Sequence, residues 1–218
     1  MSFSDERAEQ LRAETEKAYN EALAAAKKLS EIRIEAGKKF SADVERELAF
    51  LDMPSVKFIV NDSVGKLYEN GIDNIEFLLS ANAGEEPKPL SKIASGGELS
   101  RISLAIEVAA LGLDAVPTMV FDEVDSGIGG AVSDIVGRKL RALGEKRQVL
   151  AVTHLPQVAA QGHAHYRVSK APVDGMTQSA VEKLGAKQRE EELARMLGGV
   201  EVSKEAHAAA KRLLANAV

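Results

Sequence analysis

The pattern of hydrophobic positions divides the chain into a helical first part and a mixed remainder. Between Met1 and about Leu48 there is no proline, and apolar residues recur at alternating steps of three and four, which is the spacing of a coiled-coil seam. The members of this seam are Ala8, Leu11, Thr15, Ala18, Ala22, Ala25, Leu29, Ile32 and Ala36. A helix of this length would extend roughly 70 Å. We therefore expect a coiled-coil strand over residues 1–50, in preference to an amphipathic helix packed on its own domain.

The step changes to four after Ala36, where the apolar positions are Phe40, Val44 and Leu48. This change indicates either a stutter in one helix or a new helix capped by Ser41. Because a single coiled-coil strand must have a partner, we expect either dimerisation or a partner helix outside this sequence.

The period changes to two beyond Pro54. Alternating apolar residues at 56–60 and 75–79 predict two strands in a hairpin or meander. Continuous apolar runs at 118–121 and 148–152 are typical of buried parallel strands, and the segment at 131–143 between them has a helical pattern. This order predicts an α/β domain over residues 51–218, with a mostly parallel sheet flanked by helices. Other predicted elements are a helix at 99–111, strands near 166–168 and 179–184, and helices near 188–197 and 203–217.

Composition excludes several kinds of protein. The absence of cysteine excludes disulfide frameworks, cysteine-based zinc sites and thiol catalysis. The 28 basic and 33 acidic residues give a net charge of −5, so bulk charge does not argue for nucleic-acid binding. With no apolar run near the roughly 20 residues of a bilayer span and no signal peptide, we expect a cytoplasmic protein without membrane contact.

The first chemical signal is Ser95-Gly96-Gly97-Glu98 at the start of a predicted helix. Two glycines let backbone amides approach an anion, and a helix N-terminus supplies unpaired N–H groups and the positive end of a dipole. By itself the pattern is also typical of an ordinary N-cap and turn.

The second signal is a pair of acids, Asp122 and Glu123, directly after the apolar run at 118–121. Ligands bind at this end of strands in open α/β sheets. There Asp122 could hold Mg²⁺, and Glu123 could orient or deprotonate a water molecule. The alternative is a strand end followed by a helix cap.

The third signal is His154, which follows the second apolar run. Neighbouring parallel strands would bring His154 close to Glu123, where its ring could reach a phosphate. A lone histidine is otherwise most often structural.

The order of these three signals resembles that of the ABC-type ATPases, in which they are called the signature motif, Walker B and the switch histidine. A P-loop reads Gly-x-x-x-x-Gly-Lys-Ser/Thr, and neither Gly37-Lys38 nor Gly65-Lys66 fits that pattern. A signature half without a P-loop half, preceded by a coiled-coil strand, resembles the C-terminal lobe of an SMC-like ATPase head. The amino-acid sequence of these motifs most resembles that of a bacterial DNA-repair branch of the family. The deciding segments are ASGGELSR at 94–101, FDEVDSGIGG at 121–130, VTHLPQVA at 152–159 and ELARMLGG at 192–199.

The resemblance implies a set of roles and partners. Two heads would sandwich ATP and Mg²⁺, with Glu123 and His154 catalytic and Asp122 on the metal. The residues implied to contact nucleotide are Ser95, Gly96, Gly97, Glu98 and Asp125, the last in a loop that crosses the dimer interface. The implied partners are an N-terminal P-loop lobe with its antiparallel coiled-coil strand, a second head and DNA.

The function that the resemblance implies is DNA double-strand break repair and recombination through ATP-dependent head dimerisation, in the cytoplasm and associated with the nucleoid. The full-length protein is then expected to convert ATP to ADP and phosphate, and this chain, without a P-loop, to be inactive alone. Met1 is expected to begin a fragment of the natural protein. The alternatives are a nucleotide-binding half of an ABC transporter, the head of another SMC-family protein, or an inert coiled-coil interaction module.

Overall fold

A computed structural model describes residues 3–80, 84–92, 95–111, 116–173, 176–199 and 202–217. The chain divides into two compact units, one formed by residues 1–45 with 55–92 and the other by 46–54 with 93–218. The division expected from sequence, a coiled-coil stub at 1–50 and a head lobe at 51–218, stays a prediction.

The first helix, α1, is continuous over Phe3–Phe50. The alternative of a new helix that begins at Ser41 is therefore wrong, and the change of step lies inside a single helix. The Ser41 hydroxyl does not cap a helix but accepts a hydrogen bond from the backbone N–H of Val60, at 3.3 Å. The seam residues Leu11 and Ile32 are about half exposed, so their pairing in a coiled coil stays a prediction.

A three-stranded antiparallel sheet lies in the same unit as most of α1. It consists of β1 (Lys57–Tyr68), β2 (Gly71–Ser80) and β3 (Lys88–Pro89), in that order, and a short 3₁₀ turn, Leu90–Lys92, follows. Side chains of α1 pair with backbone N–H groups on β1: Glu45 accepts from Phe58 at 3.1 Å, and Ser41 accepts from Val60. These bonds satisfy donors that an edge strand would otherwise leave free.

A polar contact joins the middle of α1 to β2. Asp73 accepts hydrogen bonds from Ser30 Oγ and from Arg33 Nη1, the latter at 2.7 Å. The hydrogen bonds from Ser30 and Arg33 lower the pKa of Asp73 below its usual range. Three aromatic rings also pack against one another in this unit. They belong to Phe40, Phe58 and Phe77, and their centroids lie 5.2–6.0 Å apart.

The second unit contains a parallel strand pair. β4 (Thr118–Phe121) runs parallel to β5 (Gln148–Ala151), in a register that pairs Phe121 with Ala151. The other elements of this unit are α2 (Gly96–Ala109), α3 (Gly130–Gly144), α4 (Pro156–Gln161), β6 (Tyr166–Val173), β7 (Met176–Lys183), α5 (Ala186–Gly198) and α6 (Lys204–Ala215). The strands and helices that the sequence predicts are thus present, although β1 extends well beyond the predicted segment, to Tyr68. Strand β3 and helix α4 are not predicted from the sequence.

The expectation of a mostly parallel sheet needs correction. Among the described strands, only β4 and β5 pair in parallel, while β1–β2–β3 and β6–β7 are antiparallel. Two residues separate β1 from β2 and β6 from β7. Connections this short join only antiparallel strands, whereas α3 provides the crossover that a parallel pair requires.

The C-terminal end of α1, from Arg46 to Phe50, belongs to this second unit. Leu48 and Leu51 are buried, and Lys139 of α3 lies 2.6 Å from a carboxylate oxygen of Glu47 and over the ring of Phe50. A small apolar core joins α4, α5 and α6 through Ala159, Ala160, Leu193, Ala194 and Ala210. In the described parts of the chain, no helix combines the length and apolar character needed to cross a bilayer.

Candidate functional site

The first turn of α2 presents the serine and glycine residues that the sequence singles out. Ser95 is the N-cap, and its Oγ accepts a hydrogen bond from the backbone N–H of Glu98 at 3.3 Å. Ser95, Gly96 and Glu98 are exposed, whereas Gly97 is buried. Because a helix N-terminus has N–H groups without helical partners, this turn can accept an anionic ligand. Ala94, the first residue of the predicted motif, lies outside the described residues.

This turn lies directly against the loop that follows β4. A Cβ at position 97 would come within 2.9 Å of Ser126 Cβ, and one at position 96 within 2.7 Å of Glu123 Oε2. Glycine at both positions therefore lets the helix approach Glu123 and Ser126 closely.

Two side chains of α2 hold the same loop. Ser100 Oγ donates to the carbonyl of Asp122 at 2.6 Å, and Arg101 Nη1 donates to the carbonyl of Ser126 at 2.6 Å. The helix and the loop over residues 122–126 are thus joined at both ends of the loop. The sequence signals alone do not assign Arg101 this role.

The loop exposes two adjacent carboxylates. Asp122 and Glu123 are both exposed, and Asp122 Oδ1 accepts a hydrogen bond from the backbone N–H of Glu123 at 2.9 Å. Glu123 has a φ of 55°, a left-handed conformation that costs non-glycine residues of the order of 1 kcal/mol or more. Such strain is characteristic of sites where a side chain must be held in one direction.

The donor set is chemically suited to Mg²⁺, which prefers oxygen ligands. In the described residues, no group of three or more His, Cys, Asp or Glu side chains is arranged to hold a metal ion. An ion at Asp122 would therefore be held by one or two carboxylates, with water and phosphate oxygens completing its coordination, as is usual for Mg²⁺.

Asp125 joins the ends of β4 and β5. Its side chain is 2% exposed and accepts hydrogen bonds from Thr153 Oγ1 and from the backbone N–H groups of His154 and Leu155, the latter two at 3.1 and 3.4 Å. The ring of His154 is 73% exposed, and its Nδ1 lies 3.5 Å from Asp125 Oδ1. The resemblance places Asp125 in contact with nucleotide, whereas the structure buries its carboxylate against the chain. A direct contact between Asp125 and nucleotide stays a prediction.

An arginine that the sequence signals do not reveal caps the helix following His154. Arg189 Nη2 donates to the carbonyls of Ala159, Ala160 and Gly162, at 3.1, 2.7 and 2.5 Å. Arg141 Nη1 donates to the carbonyl of Gln161 at 2.7 Å. Burial, and secondly the charge of Arg141, lowers the pKa of Arg189.

The last of the four resembling segments supplies a buried acid. Glu192 is 6% exposed and accepts two hydrogen bonds from Arg195, at 2.6 and 3.0 Å. These bonds, with the charges of Arg195, Arg167 and His165, hold the pKa of Glu192 below its usual range. The segment thus has a structural basis independent of any ligand.

Solved structures show the fold. The Smc head domain of Pyrococcus yayanosii, with its coiled coil and joint, aligns with a TM-score of 0.59 and 20% identity over 87% of this chain and 35% of that one. The Smc head of Pyrococcus furiosus bound to the C-terminal domain of ScpA aligns with a TM-score of 0.55 and 20% identity over 82% of this chain and 43% of that one. The fold is therefore that of part of an Smc head domain, as the resemblance implied.

Sequence relatives define the family more closely. The chain is 60% identical to the DNA repair protein RecN of Xylella fastidiosa over 193 residues, or 87% of this chain and 35% of the relative. It is 43% identical to RecN of Haemophilus influenzae over 98% of this chain and 38% of the relative, and 36% identical to RecN of Bacillus subtilis over 98% and 40%. No family model matches the sequence. The chain belongs to the RecN family and corresponds to the C-terminal portion of these proteins, spanning a little over a third of the relatives' length.

Proposed function

We propose that the chain is the C-terminal half of an SMC-type ATPase head that acts in DNA double-strand break repair and recombination through ATP-dependent head dimerisation. The observation that carries the proposal is a hydrogen-bonded connection between α2, the loop after β4 and the segment after β5. Ser100 and Arg101 bind the loop on one side, and Asp125 binds residues 153–155 on the other. Each of the three predicted motifs is part of this connection.

The residues take distinct roles in this proposal. Asp122 holds Mg²⁺, and Glu123 takes a proton from the attacking water. His154 binds the γ-phosphate of ATP on its own head, while Ser95 and the first turn of α2 receive the γ-phosphate of ATP bound to a second head. When bound, ATP with Mg²⁺ supplies the phosphoryl group that is transferred to water.

An exposed apolar face is an argument for an additional lobe beside this one. Val120, Leu150 and Val152 at β4 and β5 are 68%, 48% and 61% exposed. Parallel strands are normally covered on both faces, so this face is suited to pack against more protein. We propose that it lies against an N-terminal lobe that contributes the P-loop and the second coiled-coil strand, and that the assembled protein binds DNA in the cytoplasm, at the nucleoid.

The test pairs two adjacent acids in a full-length RecN-family protein that carries this region. Glu123→Gln should slow ATP hydrolysis about 10²–10⁴-fold, because the amide cannot accept a proton, and should leave ATP-induced head association intact. Asp122→Asn should weaken both hydrolysis and association, because it removes a charged metal ligand. Turnover is measured by phosphate release and association by solution scattering.

Glu145→Gln, at an exposed position at the end of α3, is the matched control and should change neither quantity. Equal losses of association in the Glu123 and Asp122 variants, or undiminished turnover in the Glu123 variant, would contradict the assigned roles. The isolated chain, which has no P-loop, should show no turnover in the same assay. To test the repair function, the Glu123 variant should fail to restore survival of a RecN-deficient strain after double-strand breaks.

A further inference from the structure

The buried carboxylate of Asp125 meets donors from three consecutive residues and lies near the ring of one of them. Thr153 donates its hydroxyl, His154 and Leu155 donate backbone N–H groups, and the His154 ring nitrogen Nδ1 lies 3.5 Å from the second carboxylate oxygen. These residues are 28 to 30 positions away from Asp125 in the sequence. One acidic side chain therefore organises the whole segment that leaves β5.

The chemistry of the group suits this task better than ligand binding. An ionised carboxylate is an acceptor only, with two oxygens that can receive about four hydrogen bonds. Asp125 directs these acceptors toward the chain, and its side chain is only 2% exposed. The donors of residues 153–155 all bond Oδ2, so a ligand would have to displace them to reach that oxygen, while the ring of His154 lies beside Oδ1.

The nearby carboxylate also bears on which ring nitrogen of His154 carries a proton. In a neutral imidazole one nitrogen is a donor and the other an acceptor, and the choice is set by the partner of either one. Nδ1 is the ring nitrogen that lies near the carboxylate, 3.5 Å from Asp125 Oδ1, so the negative charge favours a proton at Nδ1. The opposite nitrogen, Nε2, is then a free acceptor on a ring that is 73% exposed.

We propose that Asp125 is a positioning residue for His154, which fixes the backbone of residues 153–155 and holds the neutral imidazole with its proton on Nδ1. This positioning is a property of the chain by itself. Its consequence for ATP hydrolysis rests on the proposed function, because it requires His154 to contact nucleotide.

The structural part is tested by NMR on this 218-residue chain. The ¹⁵N shifts of the His154 ring, measured where the ring is neutral, should show the Nδ1–H form in the parent and a shift toward the Nε2–H form in Asp125→Asn. Amide hydrogen exchange at His154 and Leu155 should become about tenfold faster, because two bonds to a charged acceptor are weakened. Asp134→Asn, which removes the same charge from α3, is the matched control and should change neither measurement.

Thr153→Val provides a milder change if Asp125→Asn does not fold. It removes one donor and leaves the carboxylate, so it should also speed exchange at His154 and Leu155, although by less. An unaltered tautomer and unaltered exchange in either folded variant would overturn the proposal.

The functional part uses a double-mutant cycle in a full-length RecN-family protein. Asp125→Asn should lower kcat for ATP about 10- to 100-fold, as removal of a supporting residue commonly does, with KM nearly unchanged. In a background that already carries His154→Gln, it should have little further effect, because its target is gone. Fully additive losses would overturn positioning through His154. An absence of ATP turnover in the parent protein would instead overturn the proposed function, and the NMR result would stand.

Discussion

At the scale of single residues, Gly97 shows how packing and a ligand site come to need the same amino acid. Gly97 is buried, and a Cβ there would lie 2.9 Å from Ser126 Cβ and 3.3 Å from the carbonyl oxygen of Glu123. Neither atom is the free end of a flexible side chain. Gly97→Ala should therefore force α2 away from the loop and lower the free energy of unfolding by about 1–3 kcal/mol, measured by urea denaturation of this chain.

Gly129→Ala is the matched control for that change. Gly129 has a φ of −95°, and nothing would lie within 4 Å of a Cβ built there. Because Gly129 is the N-cap of α3, alanine should cost less than about 1 kcal/mol. Similar losses in the two variants would show that Gly97 is not required by its contact with the loop.

The sequence identifies most residues of the candidate site but not the contacts that join them. Local patterns carry information at helix starts and strand ends. The candidate residues predicted at such positions are Ser95, Asp122, Glu123 and His154. The burial of Asp125 depends instead on donors about thirty positions away, and no local pattern encodes that distance. For the same reason, Asp125 is expected only as a nucleotide contact in a loop that crosses the dimer interface, where the structure has a buried acceptor.

At the scale of elements, apolar runs predict the positions of β4 and β5, because parallel strands covered on both faces are apolar throughout. Their burial differs from that expectation, since Val120 and Leu150 are 68% and 48% exposed in this chain. The stability of α4, in contrast, depends on contacts with other parts of the chain. This helix, Pro156–Gln161, has only six residues, and isolated helices of that length are not stable in water. Proline is suited to its first position, and Arg189 from α5 satisfies carbonyls at its end. Tertiary contacts thus maintain an element that propensity alone would not.

Arg189→Gln should weaken this helix. The variant loses a charged donor to the carbonyls of Ala159, Ala160 and Gly162, and bonds of this kind contribute about 2 kcal/mol. We expect a loss of this size in the free energy of unfolding, and faster amide exchange in α4 than in α3. Lys187→Gln, on the same helix but 91% exposed, should have almost no effect. If α4 exchanges equally fast in both variants, the capping role of Arg189 is wrong.

At the scale of the whole molecule, partly and fully buried ionisable groups link stability to pH. Burial lowers the pKa of His165, the charge of Arg189 lowers it further, and Glu192 opposes the shift. The unfolded chain takes up a proton on this histidine near its ordinary pKa of about 6.5, whereas the folded chain resists protonation until a lower pH. The unfolded state then binds more protons, so the free energy of unfolding must fall as the pH decreases below about 6.5.

His165→Gln should remove this part of the acid sensitivity. The variant should unfold with a shallower dependence on pH below about 6.5, whatever its stability at neutral pH, because glutamine does not titrate.

The lowered pKa of Glu192 adds a separate loss of folding stability at still lower pH, where its carboxylate takes up a proton, and this loss should remain in the variant. Urea denaturation at a series of pH values measures both effects. If the slope of His165→Gln equals that of the parent between pH 6.5 and the acid limb of Glu192, partial burial of His165 does not govern the acid response.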